Sequence, residues 1–324
     1  GIVFMTYGMI VAAELWFVYR EHFVKRAAVL AGARQGLGGE LRYRLFSALT
    51  LGARDISETA LHADEKAVKF LAAAGIPVAC FLHGYAGFIF GSVKANALWM
   101  TPLMPVIFIC SAVVSGIALC ILVYIGTMTL RKALLAWRRR ENPHLPDLAE
   151  LRVTEEQVVV ITTKYLLIFL VLAITLELLD LIFRGYTAVK SWDILRRVIY
   201  EKDFVKIFVL QYGLGNLVPC ILLLLPRISV RRAVFATFLV LMGVFMMRWN
   251  VVVGGQAFSS SFAGFMEYQM PIWPHDMETF KEGLFGALFV MCAPFALFRI
   301  LSLILPVFGG SGSEGQAGST GAAP

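Results

Sequence analysis

Seven stretches of the chain are nearly unbroken runs of apolar residues: Gly1–Tyr19, Lys69–Phe90, Pro102–Leu130, Val158–Phe183, Phe204–Leu225, Val234–Val252 and Gly283–Leu305. Each is about 20 residues or longer, the length a helix needs to cross roughly 30 Å of hydrocarbon. None alternates apolar and polar residues as barrel strands do. A bilayer admits only helices or closed barrels, because every backbone polar group must be bonded internally. The pattern predicts an all-α fold, a polytopic transmembrane helical bundle of about seven spanning helices in residues 1–308. The third run is long enough to tilt or to extend past the bilayer. Pro77, Pro105 and Pro294 fall in or near spans, where bundles tolerate proline.

Composition agrees. The 324 residues are 59% hydrophobic and 16% charged, with a mean hydropathy of +0.75. A soluble domain of this size has too little apolar interior to hide such a surplus. The net charge of +7 invites a nucleic-acid reading. The basic residues, however, cluster between the apolar runs, where they set topology. Lys and Arg number eight in loop 20–68, six in 131–157 and three in 226–233. The intervening loops 91–101, 184–203 and 253–282 are poorer, with one in the first, five across Arg184 to Lys202, and none across Gly254–Phe280. The basic side is expected to be cytoplasmic and the other periplasmic, with no nucleic acid bound. The chain then starts outside and ends inside, in a multi-pass protein of the prokaryotic cytoplasmic membrane.

Smaller features fill in this outline. Gly39–Leu61 is amphipathic and suits the cytoplasmic interface. Trp192–Tyr200 is expected as a short surface helix. Residues 309–324 are rich in Gly, Ser and Ala and are expected to be disordered. The apolar run begins at Gly1 with no visible signal peptide, and helices preceding it are an open question. Gly254–Phe280 is long and apolar for a connector, which suits either a docking surface or a lid. Cys80, Cys110, Cys120, Cys220 and Cys292 lie in apolar runs and form no C-x-x-C pair. They are expected to be reduced, small and buried, holding neither zinc nor an iron–sulfur cluster.

Ionisable residues inside a span are costly, so the few present are informative. His83, Glu177, Asp180, Gln211, Arg248 and Asn250 sit on four helices at one depth, the outer third. His83 is ~10 Å in at the helical rise. Glu177 and Asp180 are three apart and share a face. Arg248 is expected to be their cationic partner. Lys164 and Arg299 lie near span ends, where they can snorkel. Such a cluster suits a quinone headgroup, whose two oxygens need donors and whose redox cycle moves two protons. A packing network with no ligand is the competing reading. Glu14, near the inner end of the first run, fits a cytoplasmic proton path or a plain interfacial acid. His83 is the only histidine deep in a span, so a haem held by two facing histidines is not expected in this chain.

Several segments resemble the NrfD/PsrC family of membrane subunits. They are Leu82-His83-Gly84, then Ala97 to Pro105 (ALWMTPLMP), then Ser111 to Gly116 (SAVVSG), and Glu177 to Arg184 (ELLDLIFR). Met247 to Gln256 (MRWNVVVGGQ) is most similar to the DsrP branch and next to the HybB branch. The likeness runs in order over about Gly1 to Phe308. It implies two helical bundles, with no haem or iron–sulfur cluster in the chain. It also implies electron exchange between menaquinone, or another quinone, and a ferredoxin-like iron–sulfur subunit at the periplasmic face. Further partners would be cytochrome c and cytochrome b type subunits, and the setting sulfur-compound metabolism. His83, Asp180 and Arg248 match polar family positions. The resemblance also implies three or so helices before the first run that supply part of the quinone pocket; without them, His83 and Arg248 would line a proton route. The alternative function is a proton-translocating or transport subunit with no quinone chemistry.

Overall fold

A computed structural model of the chain describes all residues except 33–35, 94–95, 97, 140–147, 187–195, 257–270 and 306–324. Seven of its helices are long and apolar enough to span a membrane, among the described residues. The α-helices are α1 (Ile2–Gly32), α2 (Gly36–Leu49), α3 (Glu58–Gly91), α4 (Met104–Arg139), α5 (Leu148–Tyr186), α6 (Val218–Leu224), α7 (Val230–Trp249), α8 (Met277–Glu282) and α9 (Leu284–Ile304). Three π-wound segments lie among them: π1 (Val198–Lys202), π2 (Val205–Leu217) and π3 (Asn250–Gly254).

The spans agree in number with the seven runs and differ at their ends. The first helix continues to Gly32, and the second spanning helix starts at Glu58. Hydropathy marks only the part of a helix that lies in lipid. The polar extensions are helical outside it, carried by pairs one turn apart such as Glu21–Lys25 at 2.5 Å and Glu65–Lys69 at 2.7 Å. The amphipathic stretch Gly39–Leu61 is not one helix. It breaks after Leu49, where Leu51 and Gly52 take positive φ. Of the surface helix expected over Trp192–Tyr200, Arg196–Tyr200 are helical and run into π1, while residues 192–195 fall outside the described residues. So do the greater part of Gly254–Phe280 and the whole tail.

The chain divides into two compact units, residues 1–79 with 269–324, and residues 80–268. In the first, Arg20 is buried. It donates from Nε to Asp64 at 2.6 Å and from Nη1 to the carbonyl of Asp55 at 3.0 Å, tying α1 to the turn before α3 and to its start. The indole of Trp16 donates to the Leu49 carbonyl at 2.9 Å, one of the orphan carbonyls at the end of α2.

In the second unit α4, α5 and α7 form the core. Val114, Ala118, Ile121, Val159, Leu166, Leu170, Ala233, Ala236 and Val240 interlock there and are almost fully buried. Large apolar side chains face outward instead: Phe235 is 56% exposed and Phe238 61%. A polar protein surface would not carry them, whereas lipid solvates them. The cysteines follow the same division. All five are free, but only Cys220 is buried, and Cys120 and Cys292 are exposed. The expectation of uniform burial fails because a thiol is apolar enough to face acyl chains.

Candidate functional site

The site lies in the second unit, at the end where α3 finishes and α4 begins. Its first wall is the last three turns of α5. Glu177, Asp180 and Arg184 recur at i, i+3 and i+7, so they form one stripe along the helix. Asp180 is buried and fully engaged. Its Oδ1 accepts from the Thr101 hydroxyl at 2.5 Å, and its Oδ2 accepts from Arg184 Nε at 2.8 Å. A second guanidinium nitrogen of Arg184 lies 2.8 Å from the same oxygen. Arg184 also donates from Nη1 to the Leu98 carbonyl at 2.6 Å. The carboxylate therefore pins the loop before α4 onto α5.

The sequence points to Arg248 as the cationic partner of these acids, and here the structure corrects it. Arg184 neutralises Asp180. Arg248 turns elsewhere: its guanidinium stands 5.5 Å from the centre of the Phe108 ring, and Nη2 donates to Ser111 at 3.3 Å. The physical reason is reach. One α-turn separates Asp180 from Arg184 on a common face, and the planar fork of arginine meets a carboxylate there without crossing between helices.

The second wall is π2. Hydrogen bonding from i to i+5 changes which residues share a side. Gln211 and Asn216 are five apart, and an α-helix would set them about 140° apart. In the π winding both are buried and both approach the Glu177 carboxyl. Gln211 donates from Nε2 to Glu177 Oε2 at 3.0 Å. Its own Oε1 accepts from Asn250 Nδ2 at 2.9 Å. A directed chain thus runs from Asn250 through Gln211 to Glu177. Asn250 is the point at which α7 gives way to π3. Close backbone contact holds π2 against α7. Gly215 and Gly243 meet so tightly that a Cβ on either would overlap the other's main chain.

The loop between α3 and α4 closes the site's end. Asn96 Nδ2 donates to the Gly255 carbonyl and Trp99 Nε1 to the Val251 carbonyl, both at 2.6 Å. The Asn96 bond reaches a carbonyl just past the end of π3, and the Trp99 indole is a second donor to the Val251 carbonyl, which already accepts from the Gly255 N–H. A Cβ at Gly255 would run into the indole of Trp99.

Between the walls lies a cavity of about 110 Å³. Met104, Ile107, Leu181, Ile199 and Met247 supply apolar lining, and Glu177, Asp180, Gln211 and Asn250 supply polar lining. Asp203 and Tyr212 also face it. An apolar chamber with a few convergent polar groups is the general form of a small-molecule site. Of the six residues expected at one depth, four line the cavity. His83 and Arg248 do not; they are near enough to each other to interact electrostatically, and Arg248 stands over Phe108. Glu14 belongs to the other unit, half-buried on α1.

Thr101, Arg184, Tyr212 and Asp203 are site residues that sequence reasoning misses. Arg184 reads as a topology-setting loop charge, although its spacing from Asp180 is visible. Thr101 lies in the family-like segment Ala97–Pro105, but both it and Asp203 lie outside the apolar runs, so neither is marked as an intramembrane polar group.

The class defined by these features is a multi-pass helical membrane protein with a polar chamber at one end of a helical unit. The chain belongs to the NrfD family: the family model described as polysulphide reductase, NrfD, matches residues 1–260. It is a protein of the prokaryotic cytoplasmic membrane. The C subunit of selenate reductase from Mesobacillus selenatarsenatis is 36% identical over 127 residues, covering 37% of this chain and 28% of that relative. The match therefore spans less than a third of the relative's length.

Proposed function

We propose that this chain is the quinone-interacting membrane subunit of a respiratory redox complex, and that the cavity at Glu177 receives the headgroup. The carrying observation is the difference between two carboxyls 3 residues apart. Asp180 is consumed by Arg184 and Thr101. Glu177 is contacted by amide groups and lines the same chamber as the hydrogen-bond chain that ends on it. Asp180 is the fixed charge that holds the site's shape, and Glu177 is the group that exchanges a proton. Quinol oxidation releases two electrons and two protons. One hydroxyl proton passes to Glu177 and on to water, the other leaves by the cavity mouth, and the electron pair passes to a peripheral iron–sulfur subunit.

The finer reading is that the pool is menaquinone and the partner a ferredoxin-like subunit at the periplasmic face, with cytochrome c and b type subunits in the same complex. Sulfur-compound metabolism is the proposed setting. The loop charge asymmetry supports a periplasmic position for the site, and the selenate reductase relative supports a reductase complex of several subunits. His83 and Arg248 stand outside the cavity in this reading and support packing around Phe108.

The test is quinol-linked dye reduction by the purified complex. Glu177→Gln is expected to lose most turnover while assembling normally, and His83→Ala is expected to retain it. Full turnover in Glu177→Gln would refute the assignment.

A further inference from the structure

A second cavity of about 500 Å³ opens on the outer face of the same unit, between α5 and π2. It is an apolar groove, lined by Val171, Ile174 and Leu178 on one side and by Phe208, Leu217 and Cys220 on the other. Tyr212 lines both this groove and the cavity at Glu177. Asn216, which approaches the Glu177 carboxyl, lines the groove as well. The two spaces therefore share a wall one side chain thick.

The direction of the groove is informative. Glu177 and Leu178 are neighbours in sequence, and the groove runs from Leu178 back to Val171. Seven residues of helix are ~10 Å, all toward the middle of the span. The floor is open because Gly213 contributes no side chain there. The π winding adds to the gap, since it displaces the Phe208-to-Leu217 face from the α-helical position.

We infer that this groove holds the isoprenoid tail of the quinone whose ring enters the Glu177 cavity, with Tyr212 at the junction of ring and tail. The inference rests on the headgroup reading above and adds to it the ligand's path and a requirement for chain length. A polyisoprenoid fits on three counts. It is uncharged along its length, as the lining demands. It must run from an interfacial ring to the bilayer centre, as the groove does. The volume falls in the range of about 300–1,000 Å³ usual for ligand sites. The tail comes from acyl chains as apolar as the groove, so its contribution is van der Waals packing and not transfer from water.

Thr175 tests this without touching the ring site. It lines the groove, is exposed, and bonds only its own helix, from Oγ1 to the Val171 carbonyl at 2.8 Å. Thr175→Trp fills the groove from the lipid side, and Leu178→Trp does so independently one turn nearer the ring. The purified complex in nanodiscs is assayed with two reduced probes, 2-methyl-1,4-naphthoquinol without a tail and the same ring with a four-isoprene tail. Both Trp variants are expected to raise KM for the tailed quinol tenfold or more and to change KM for the tailless one less than twofold. Glu177→Gln is expected to lower kcat with both. If both Trp variants leave the tailed quinol within twofold of wild type, the groove holds ordinary lipid and the inference fails while the ring site stands. If Glu177→Gln turns over both probes normally, the ring site itself fails.

Discussion

Arg184→Gln isolates the energetic centre of the site. An exposed ion pair at i, i+4 on a helix stabilises by about 0.3–0.5 kcal/mol. The Asp180–Arg184 pair has that spacing but not that environment, since the two side chains are 11% and 8% exposed. Removing one member of a buried pair costs about 3–5 kcal/mol, because the other charge is stranded. Arg184→Gln leaves Asp180 bonded to the Thr101 hydroxyl with its charge no longer neutralised, and it also releases the Leu98 carbonyl. The larger figure applies. The double variant Asp180→Asn/Arg184→Gln removes both charges and keeps amides that can bond each other, so it is expected to be within about 2 kcal/mol of wild type, as replaced pairs often are. The assay is an SDS titration in detergent followed by circular dichroism, read as a double-mutant cycle. The favourable coupling energy expected is several times that of a surface pair. A cost below about 1 kcal/mol for Arg184→Gln would show that water reaches the pair and that Asp180 is not the fixed charge of the site.

Thr101→Val should destabilise by roughly 1.5–3 kcal/mol in the same titration, the range for a lost hydrogen bond to a charged acceptor. Gly243→Ala should cost about 1–3 kcal/mol by overpacking the crossing with Gly215, and should reduce turnover further by displacing Gln211; wild-type stability would show that the helices part freely. Gly255→Ala should loosen the loop before α4 through Trp99, which hydrogen exchange at the Asn96–Thr101 amides would report as faster opening. Asn250→Leu should reduce turnover less than Glu177→Gln, since it removes the far end of the chain and leaves the Gln211–Glu177 bond intact; equal losses would place the reacting proton at Asn250.

The spans were legible because lipid imposes a rule that each segment obeys by itself, about 20 apolar residues. Helix ends were not, because α1 beyond Tyr19 and α3 before Lys69 leave the lipid and stay helical on local charge pairs. The shared depth of Glu177, Asp180, Gln211 and Asn250 was legible from position within the runs. Their pairing was not, since it depends on rotation about each helix axis. The decisive rotation belongs to π2, where one extra residue per hydrogen-bonded turn brings Gln211 and Asn216 to one side. Nothing in VKIFVLQYGLGNL announces that winding to a reader expecting 3.6 residues per turn. Arg248 shows the converse error. A scarce cation near scarce anions is matched to them by elimination, while Phe108 and Ser111, neither of them an anion, take it.

The site's chemistry is confined to one end of its unit by the core behind it. α5 carries a buried acid near its other end too, Glu155, paired with Lys132 of α4. Glu155 and Glu177 are 22 residues apart, or ~33 Å along the helix. Between them the described interior is Val114, Ala118, Ile121, Val159, Leu166 and Leu170. Its buried hydroxyls Ser111, Thr163 and Thr237 bond carbonyls of their own helices, Phe108 at 3.0 Å, Val159 at 2.7 Å and Ala233 at 2.8 Å. A proton relay needs groups that hand hydrogen bonds from helix to helix; among these described hydroxyls only Ser111 takes part in such a bond, from Arg248 near the site's own end, and the rest of that interior is apolar. On the proposed reading, protons released at Glu177 return to the side on which the cavity opens. A complex driven by this unit alone should acidify that side by two protons per quinol oxidised. Proteoliposomes with a trapped pH dye measure that ratio, and a larger one would require a conducting path through this interior.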